Sequence, residues 1–320
     1  MTAQTLIEKI LQREKRAVSR SITIIEQGDE NSKELLKNIY AKTGKAYRIG
    51  ITGPPGAGKS TLTNQLTKYF RSRNKTVAII AVDPTSPFTG GALLGDRVRM
   101  SEIGMDEGVF IRSMATRGSL GGLSKKTIDA ADVLDAAGFD YILFETVGVG
   151  QSELDIARTA DTTMVTLVPE SGDSIQAMKA GLMEIADMFV LNKSDRPGAD
   201  NALLSLQASL MTRSHDEHTW MPPVIKSVAT ENKGITEIAD VIALHKDYLA
   251  LDGRFQKKRE INSKIRIKNI IETQIKEELW TMEREASLNE FLAKVSLGHL
   301  SPYHIAEEII IQYKNDFDRH

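Results

Sequence analysis

Gly53-Pro54-Pro55-Gly56-Ala57-Gly58-Lys59-Ser60 follows the apolar run Tyr47-Arg48-Ile49-Gly50-Ile51-Thr52 and precedes Thr61-Leu62-Thr63-Asn64-Gln65-Leu66. A strand before G-x-x-x-x-G-K-[ST] and a helix after it is the context in which that spacing binds phosphate. The glycines let backbone N–H groups turn inward around phosphate oxygens. Lys59 can reach the β- and γ-phosphates, Ser60 can offer its hydroxyl to Mg²⁺, and the helix opening at Thr61 aims its positive end at the anion. The expected phosphate contacts are Gly53, Pro54, Pro55, Gly56, Ala57, Gly58, Lys59, Ser60 and Thr61.

Around this loop, apolar strand-like runs alternate with helical patterns. Strands are predicted at 47–52, 76–82, 108–112, 140–145, 162–168, 187–191 and 223–227. Such alternation implies βα units, a mainly parallel central sheet flanked by helices, and ligands at the carboxyl ends of the strands. The expected fold class is therefore α/β, a P-loop NTPase with helical extensions at both ends. Residues 1–44 read as helical: Leu6, Ile7, Ile10, Leu11, Val18, Ile22 and Ile25 recur at helical spacing up to Gly28, and a second helix carries Leu35, Leu36, Ile39 and Tyr40. Residues 45–250 form the nucleotide domain. Residues 251–320 show no strand pattern; a long helix carries Ile261 to Leu279, and Ser301-Pro302 opens a last one. This charged arm either packs on its own domain or pairs with a second subunit.

The composition is that of a soluble globular chain: 320 residues, 41% hydrophobic and 26% charged, with net charge −2. The slight acidity argues against nucleic acid as a partner. With no cysteine, disulfides, thiolate metal sites and a Cys nucleophile are excluded. Met1 to Arg20 is charged and amphipathic, unlike a secretory signal, and no apolar run approaches the ~20 residues that span a bilayer. A cytoplasmic protein without a membrane partner is expected.

Base choice is read from Asn192-Lys193-Ser194-Asp195, an N-K-x-D after the apolar Met188-Phe189-Val190. The Asp195 carboxylate can accept from N1–H and the 2-amino group of guanine, a donor pair adenine lacks. Lys193 can lie across the base, and Asn192 can tie its loop to the phosphate loop. Ser227-Val228-Ala229 ends a later strand, where a backbone N–H near Ala229 can donate to guanine O6. GTP and GDP are preferred over ATP.

Phe144-Glu145-Thr146-Val147-Gly148 places an acid at a strand end for Mg²⁺ and an N–H at Gly148 for the γ-phosphate. Asp83 ends the second strand and Asp96 follows a glycine-rich stretch; both suit Mg²⁺, which takes few carboxylates. The alternative reading of Asp83 is a turn before Pro84, and that of Asp96 a helix N-cap. Val149 stands where Ras-like GTPases carry the water-positioning glutamine, and Gln151 is two residues too late. Slow hydrolysis is expected, with Lys179 or Arg97 either brought to the γ-phosphate by a partner or simply solvated. The expected catalytic set is Lys59, Asp96, Gly148 and Lys179.

The segments Arg48 to Leu62, Ala81-Val82-Asp83-Pro84-Thr85-Ser86-Pro87, Glu145 to Glu153 and Asn192 to Asp195 together resemble the MeaB-type GTPases, metallochaperones of cobalamin-dependent acyl-CoA mutases. Older labels for that family are arginine/ornithine transport ATPases. The resemblance implies a homodimer that binds methylmalonyl-CoA mutase or a relative, gates adenosylcobalamin loading with GTP and protects the mutase. It also implies Mg²⁺ and switch roles for Ser60, Asp83, Asp96 and Glu145, a third switch at Pro169 to Lys179, and dimerisation through 251–320. The chain lacks a D-x-H-x-x-G cobalamin motif, so the cofactor belongs to the partner. The rival readings are a nickel-insertion GTPase, for which His215 and His218 are a meagre ligand set, a small-molecule kinase on the same loop, and a regulatory nucleotide-binding module.

Overall fold

A computed structural model describes residues 2–83, 101–115, 125–146, 152–171, 181–212, 216 and 219–317. The chain divides into two compact units, Met1–Phe255 and Gln256–His320. Each predicted strand is present in the first: β1 Tyr47–Thr52, β2 Val77–Asp83, β3 Val109–Ala115, β4 Tyr141–Thr146, β5 Thr162–Leu167, β6 Met188–Leu191 and β7 Val224–Lys226. They form one sheet of order β3-β2-β4-β1-β5-β6-β7, parallel at each pairing. β1 is flanked by β4, with Gly50 opposite Phe144, and by β5, with Gly50 opposite Thr163.

Both faces of the sheet are buried, which is why the strands read as continuous apolar runs. On one face Ile49, Ile51, Ile79 and Leu143 meet Leu62, Leu66 and Phe70 of α4 (Lys59–Ser72), and Ile238 and Ile242 of a later helix, Ile235–Ala250. On the other, Ala78, Ile80, Ile142 and Phe144 meet the helix Lys125–Ala136 and the N-terminal helices α1 (Ala3–Leu11), α2 (Lys15–Gln27) and α3 (Glu30–Ile39). Val165, Leu167, Phe189 and Leu191 pack on Leu206 and Leu210 of Ala199–Met211.

The single helix expected from Leu6 to Ile25 is two. Arg13 breaks it with a left-handed φ of 59°, and its guanidinium donates to the carbonyls of Ala137, at 3.2 Å, and Gly138 while lying over the Phe139 ring. A contact 124 residues away thus overrides helical periodicity. The second unit also holds one helix more than expected. The long helix Arg254–Leu279 is followed by Met282–Ser296 and Pro302–Phe317, the extra start being capped where Thr281 Oγ1 accepts from the Arg284 N–H at 3.3 Å. Arg284 then joins this unit's helices, donating to Glu278 O and Leu279 O, each at 2.8 Å, and to Asp316 Oδ2 at 2.7 Å. Among the described residues no helix is long and apolar enough to cross a membrane.

The approach to β1 is held by carboxylates. Asp135, fully buried, accepts from the N–H groups of Gly44, Lys45 and Ala46 at 2.8, 3.0 and 3.0 Å. The Arg48 guanidinium lies 2.7 Å from Asp132 and 3.4 Å from Asp135. Burial works against the Arg48 charge, but these carboxylates outweigh it and hold its pKa above the ordinary value. Asp135→Ala strands three N–H groups and part of a guanidinium, and is expected to lower unfolding free energy by about 3–5 kcal/mol, measured by urea titration. Loss of the exposed Lys33–Glu30 pair should leave the midpoint in place.

Candidate nucleotide site

The carboxyl ends of β1, β2, β4 and β6 converge on the loop between β1 and α4. Two of its glycines are imposed by neighbours. Gly53 has φ 133°, and a Cβ there would lie 2.0 Å from the Thr166 carbonyl oxygen of β5. Gly58 has φ 91°, and a Cβ there would lie 2.2 Å from Asn192 Nδ2. Lys59 is buried at the start of α4 and its Nζ donates to Gly53 O at 2.8 Å and Pro54 O at 2.9 Å. Its ammonium is thereby held over the loop that is expected to receive phosphate.

A cavity of about 580 Å³ opens above the loop, bounded by Pro55, Gly56, Gly58, Lys59, Ser60, Thr61 and Asn64, by Ala81 and Val82 of β2, by Glu145 and Thr146 of β4, and by Lys193. On its wall the Ser60 hydroxyl donates to the Glu145 carboxylate, which is only 8% exposed although ionisable. Asp83 is the last residue of β2; its side chain lies outside what is described.

Next to the phosphate loop one amide joins three segments. Asn192 is buried directly after β6. Its Nδ2 donates to Ala57 O at 2.8 Å, while its Oδ1 accepts from Ser227 Oγ and from the Ala229 N–H, each at 3.1 Å. The Ala229 N–H expected to face guanine O6 therefore points at Asn192 in this structure. Lys193 has φ 56°, and its Nζ donates to Gly56 O at 2.8 Å, across the phosphate loop. Ser194 is fastened to Ser227 O through its N–H and its hydroxyl, both at 3.0 Å. Asp195 follows on the surface, exposed. Val228 is buried.

The structure thus brings the phosphate loop, Glu145 and Lys193 around one cavity, with Asn192 hydrogen-bonded to the loop at Ala57 and to Ser227 and Ala229 and Asp195 exposed farther along the same segment. Asp96, Gly148 and Lys179 lie outside the described residues, as do Arg97, Val149, Gln151, His215 and His218. Of the expected third switch, Pro169–Ser171 forms a single 3₁₀ turn. There Arg196 donates to Glu170 at 2.7 Å and holds that carboxyl below its usual range. Two neighbours on α4 carried no functional expectation. Asn64 lines the cavity, and Gln65 Nε2 donates to Ala229 O at 3.1 Å. Their only sequence signal is a polar pair between the buried Leu62 and Leu66.

Gly53→Ala forces a methyl onto the Thr166 carbonyl. It is expected to lower stability by about 1–3 kcal/mol, seen as a lower thermal midpoint. Gly56→Ala, with open space around the added methyl, should cost less. Equal midpoints for the two variants would contradict this packing.

Known proteins carry the same pattern. The family described as Methylmalonyl Co-A mutase-associated GTPase MeaB matches residues 18–284. A putative GTPase of Pyrococcus abyssi is 50% identical over 307 residues, 95% of each chain. The mitochondrial methylmalonic aciduria type A homolog of Mus musculus is 33% identical over 319 residues, 93% of this chain and 76% of its own. The crystal structure of a LAO/AO transport system kinase aligns with a TM-score of 0.74 at 27% identity, covering 100% of this chain and 98% of that one. With its parallel sheet, its phosphate loop and these relatives, the chain belongs to the MeaB family and is a P-loop GTPase.

Proposed function

We propose that this GTPase serves as a chaperone for a cobalamin-dependent acyl-CoA mutase such as methylmalonyl-CoA mutase. In this reading GTP turnover gates adenosylcobalamin loading and protects the mutase, with the cofactor on the partner. Membership of a family named for its mutase association is what supports the client.

The observation that carries the guanine-nucleotide assignment is the Asn192 amide, which binds the phosphate loop and the Ser227–Ala229 segment to one another. It sits three residues before Asp195, which supports the reading that a nucleotide with phosphates on the loop offers its base to that carboxylate. Asp195 is assigned the guanine N1–H and 2-amino group, Lys193 the base plane, and the segment from Ser227 through Val228 to Ala229 the base edge. Gly53 to Thr61 are assigned the phosphates, with Lys59 as their charge partner. Ser60 and Glu145 fit a hard divalent ion, since two oxygen ligands lie in contact on the cavity wall. We assign Mg²⁺ to these two with Asp83 and Asp96. When bound, the ion neutralises charge on the β- and γ-phosphates. Gly148 is assigned γ-phosphate sensing, and Lys179 a catalytic contact completed by the partner.

The arm 251–320 is assigned to homodimerisation. Its support is the row Ile261, Ile267, Ile271 and Ile275, about half exposed on one long helix. The expected setting is the cytoplasm, without membrane or nucleic acid as partner.

Asp195→Asn replaces a carboxylate with an amide that can donate to the 2-oxo group of xanthine. It should shift the XDP-to-GDP affinity ratio by at least about tenfold, worth some 1.4 kcal/mol, in competition with a fluorescent GDP. An unchanged ratio would overturn the base assignment. For the client, a purified cobalamin-dependent acyl-CoA mutase should raise GTP turnover at saturating GTP by about tenfold or more. Turnover indifferent to bound mutase would remove the gating role.

A further inference from the structure

One turn beyond Ser60, α4 carries a side chain that helix stability and packing leave unexplained. Asn64 lines the cavity wall with Ser60, Ala81, Val82 and Glu145. Its Oδ1 is shielded from solvent and has no hydrogen-bond partner among the described residues. The surrounding polar groups of the helix are satisfied. Thr63 and Thr67 hydroxyls donate to the carbonyls of Lys59 and Thr63 at 2.9 and 2.7 Å, and Gln65 donates to Ala229 O. Asparagine is a mediocre helix former, and a shielded acceptor without a donor is costly. Such groups in a native fold call for an explanation, an ion or water among them.

The chemistry of the neighbourhood says which donor is missing. A spacing of four residues puts Asn64 on the same face of the helix as Ser60, whose hydroxyl meets the Glu145 carboxylate. Phosphate oxygens and carboxylates are acceptors, so neither can satisfy an amide oxygen. Mg²⁺ held through few protein oxygens keeps several of its waters, and those polarised waters are strong donors. Partners in this outer shell orient the ligands and set metal affinity.

We propose that Asn64 is a positioning residue for the water shell of the bound magnesium, its Oδ1 accepting from a metal-bound water. The inference rests on the cavity being a Mg²⁺–guanine nucleotide site, and deepens that reading. It assigns the metal a contact from α4 beyond the phosphate-loop serine. An acceptor-only replacement should preserve the role, and an apolar one should abolish it.

The test uses the full chain loaded with a fluorescent GDP, and reads the nucleotide's dissociation rate across a magnesium titration. Asn64→Leu and Asn64→Ala should move the magnesium midpoint at least about tenfold higher, while Asn64→Asp keeps it at or below that of the unaltered protein. GDP affinity in EDTA should change less than twofold in the two apolar variants. Midpoints unchanged in both apolar variants overturn the role of Asn64 while leaving the site reading intact. A large loss of GDP affinity in EDTA in both marks Asn64 as structural support and overturns it too. GDP binding by the unaltered protein that is absent or indifferent to magnesium overturns the site reading, and this inference with it.

Discussion

One buried amide holds the site together. Asn192 uses a donor on the phosphate loop and its oxygen on the Ser227 hydroxyl and the Ala229 N–H. Neither half can be exchanged for the other: a carboxylate would set an acceptor against the Ala57 carbonyl, and an aliphatic side chain would strand three polar groups away from water. Gly58 belongs to the same arrangement, because the amide nitrogen occupies the space that any larger residue there would need. The phosphate loop and the Ser227–Ala229 segment are thereby tied together, and Gln65 adds a second tie from α4 by donating to the Ala229 carbonyl.

Rigidity on this side contrasts with the chemistry assigned across the cavity. There the Ser60 hydroxyl and the Glu145 carboxylate are in contact, on elements that begin and end next to the segments given switch roles. The proposed chaperone role calls for both: a fixed grip on the nucleotide, and metal ligands that answer to the γ-phosphate. Placing Asn64 on the helix that also carries Lys59 and Ser60 would tie the metal's water shell to the fixed side.

The strands were legible because a parallel sheet buried on both faces writes itself as unbroken apolar runs; Tyr47–Thr52 and Val77–Asp83 needed no further signal. The phosphate loop and the N-K-x-D segment were legible because backbone geometry and hydrogen-bond chemistry restrict residue types at set spacings. Strand order was not, since β1 pairs with partners about 90 and 110 residues away. The break at Arg13 was hidden for a related reason: the carbonyls that hold it belong to residues 137 and 138. The helix Met282–Ser296 starts at a threonine cap with neither glycine nor proline before it, so nothing in the pattern marked a helix between Leu279 and Ser301. Asn64 was invisible as a functional residue because only the cavity distinguishes a polar side chain facing a site from one facing solvent.

The carboxylate of Asp135 has a consequence for how the protein comes into being. The start of β1 is fastened by a residue about 90 positions later, and its flanks are supplied by strands ending at Thr146 and Leu167. During synthesis the phosphate loop leaves the ribosome early but has no scaffold until about a third of the chain, through Leu167, has followed it. Contacts of such sequence separation are late and slow to form. A formed phosphate loop is thus withheld from the nascent chain, and the GTPase is complete only once the strands on both sides of β1 are in place.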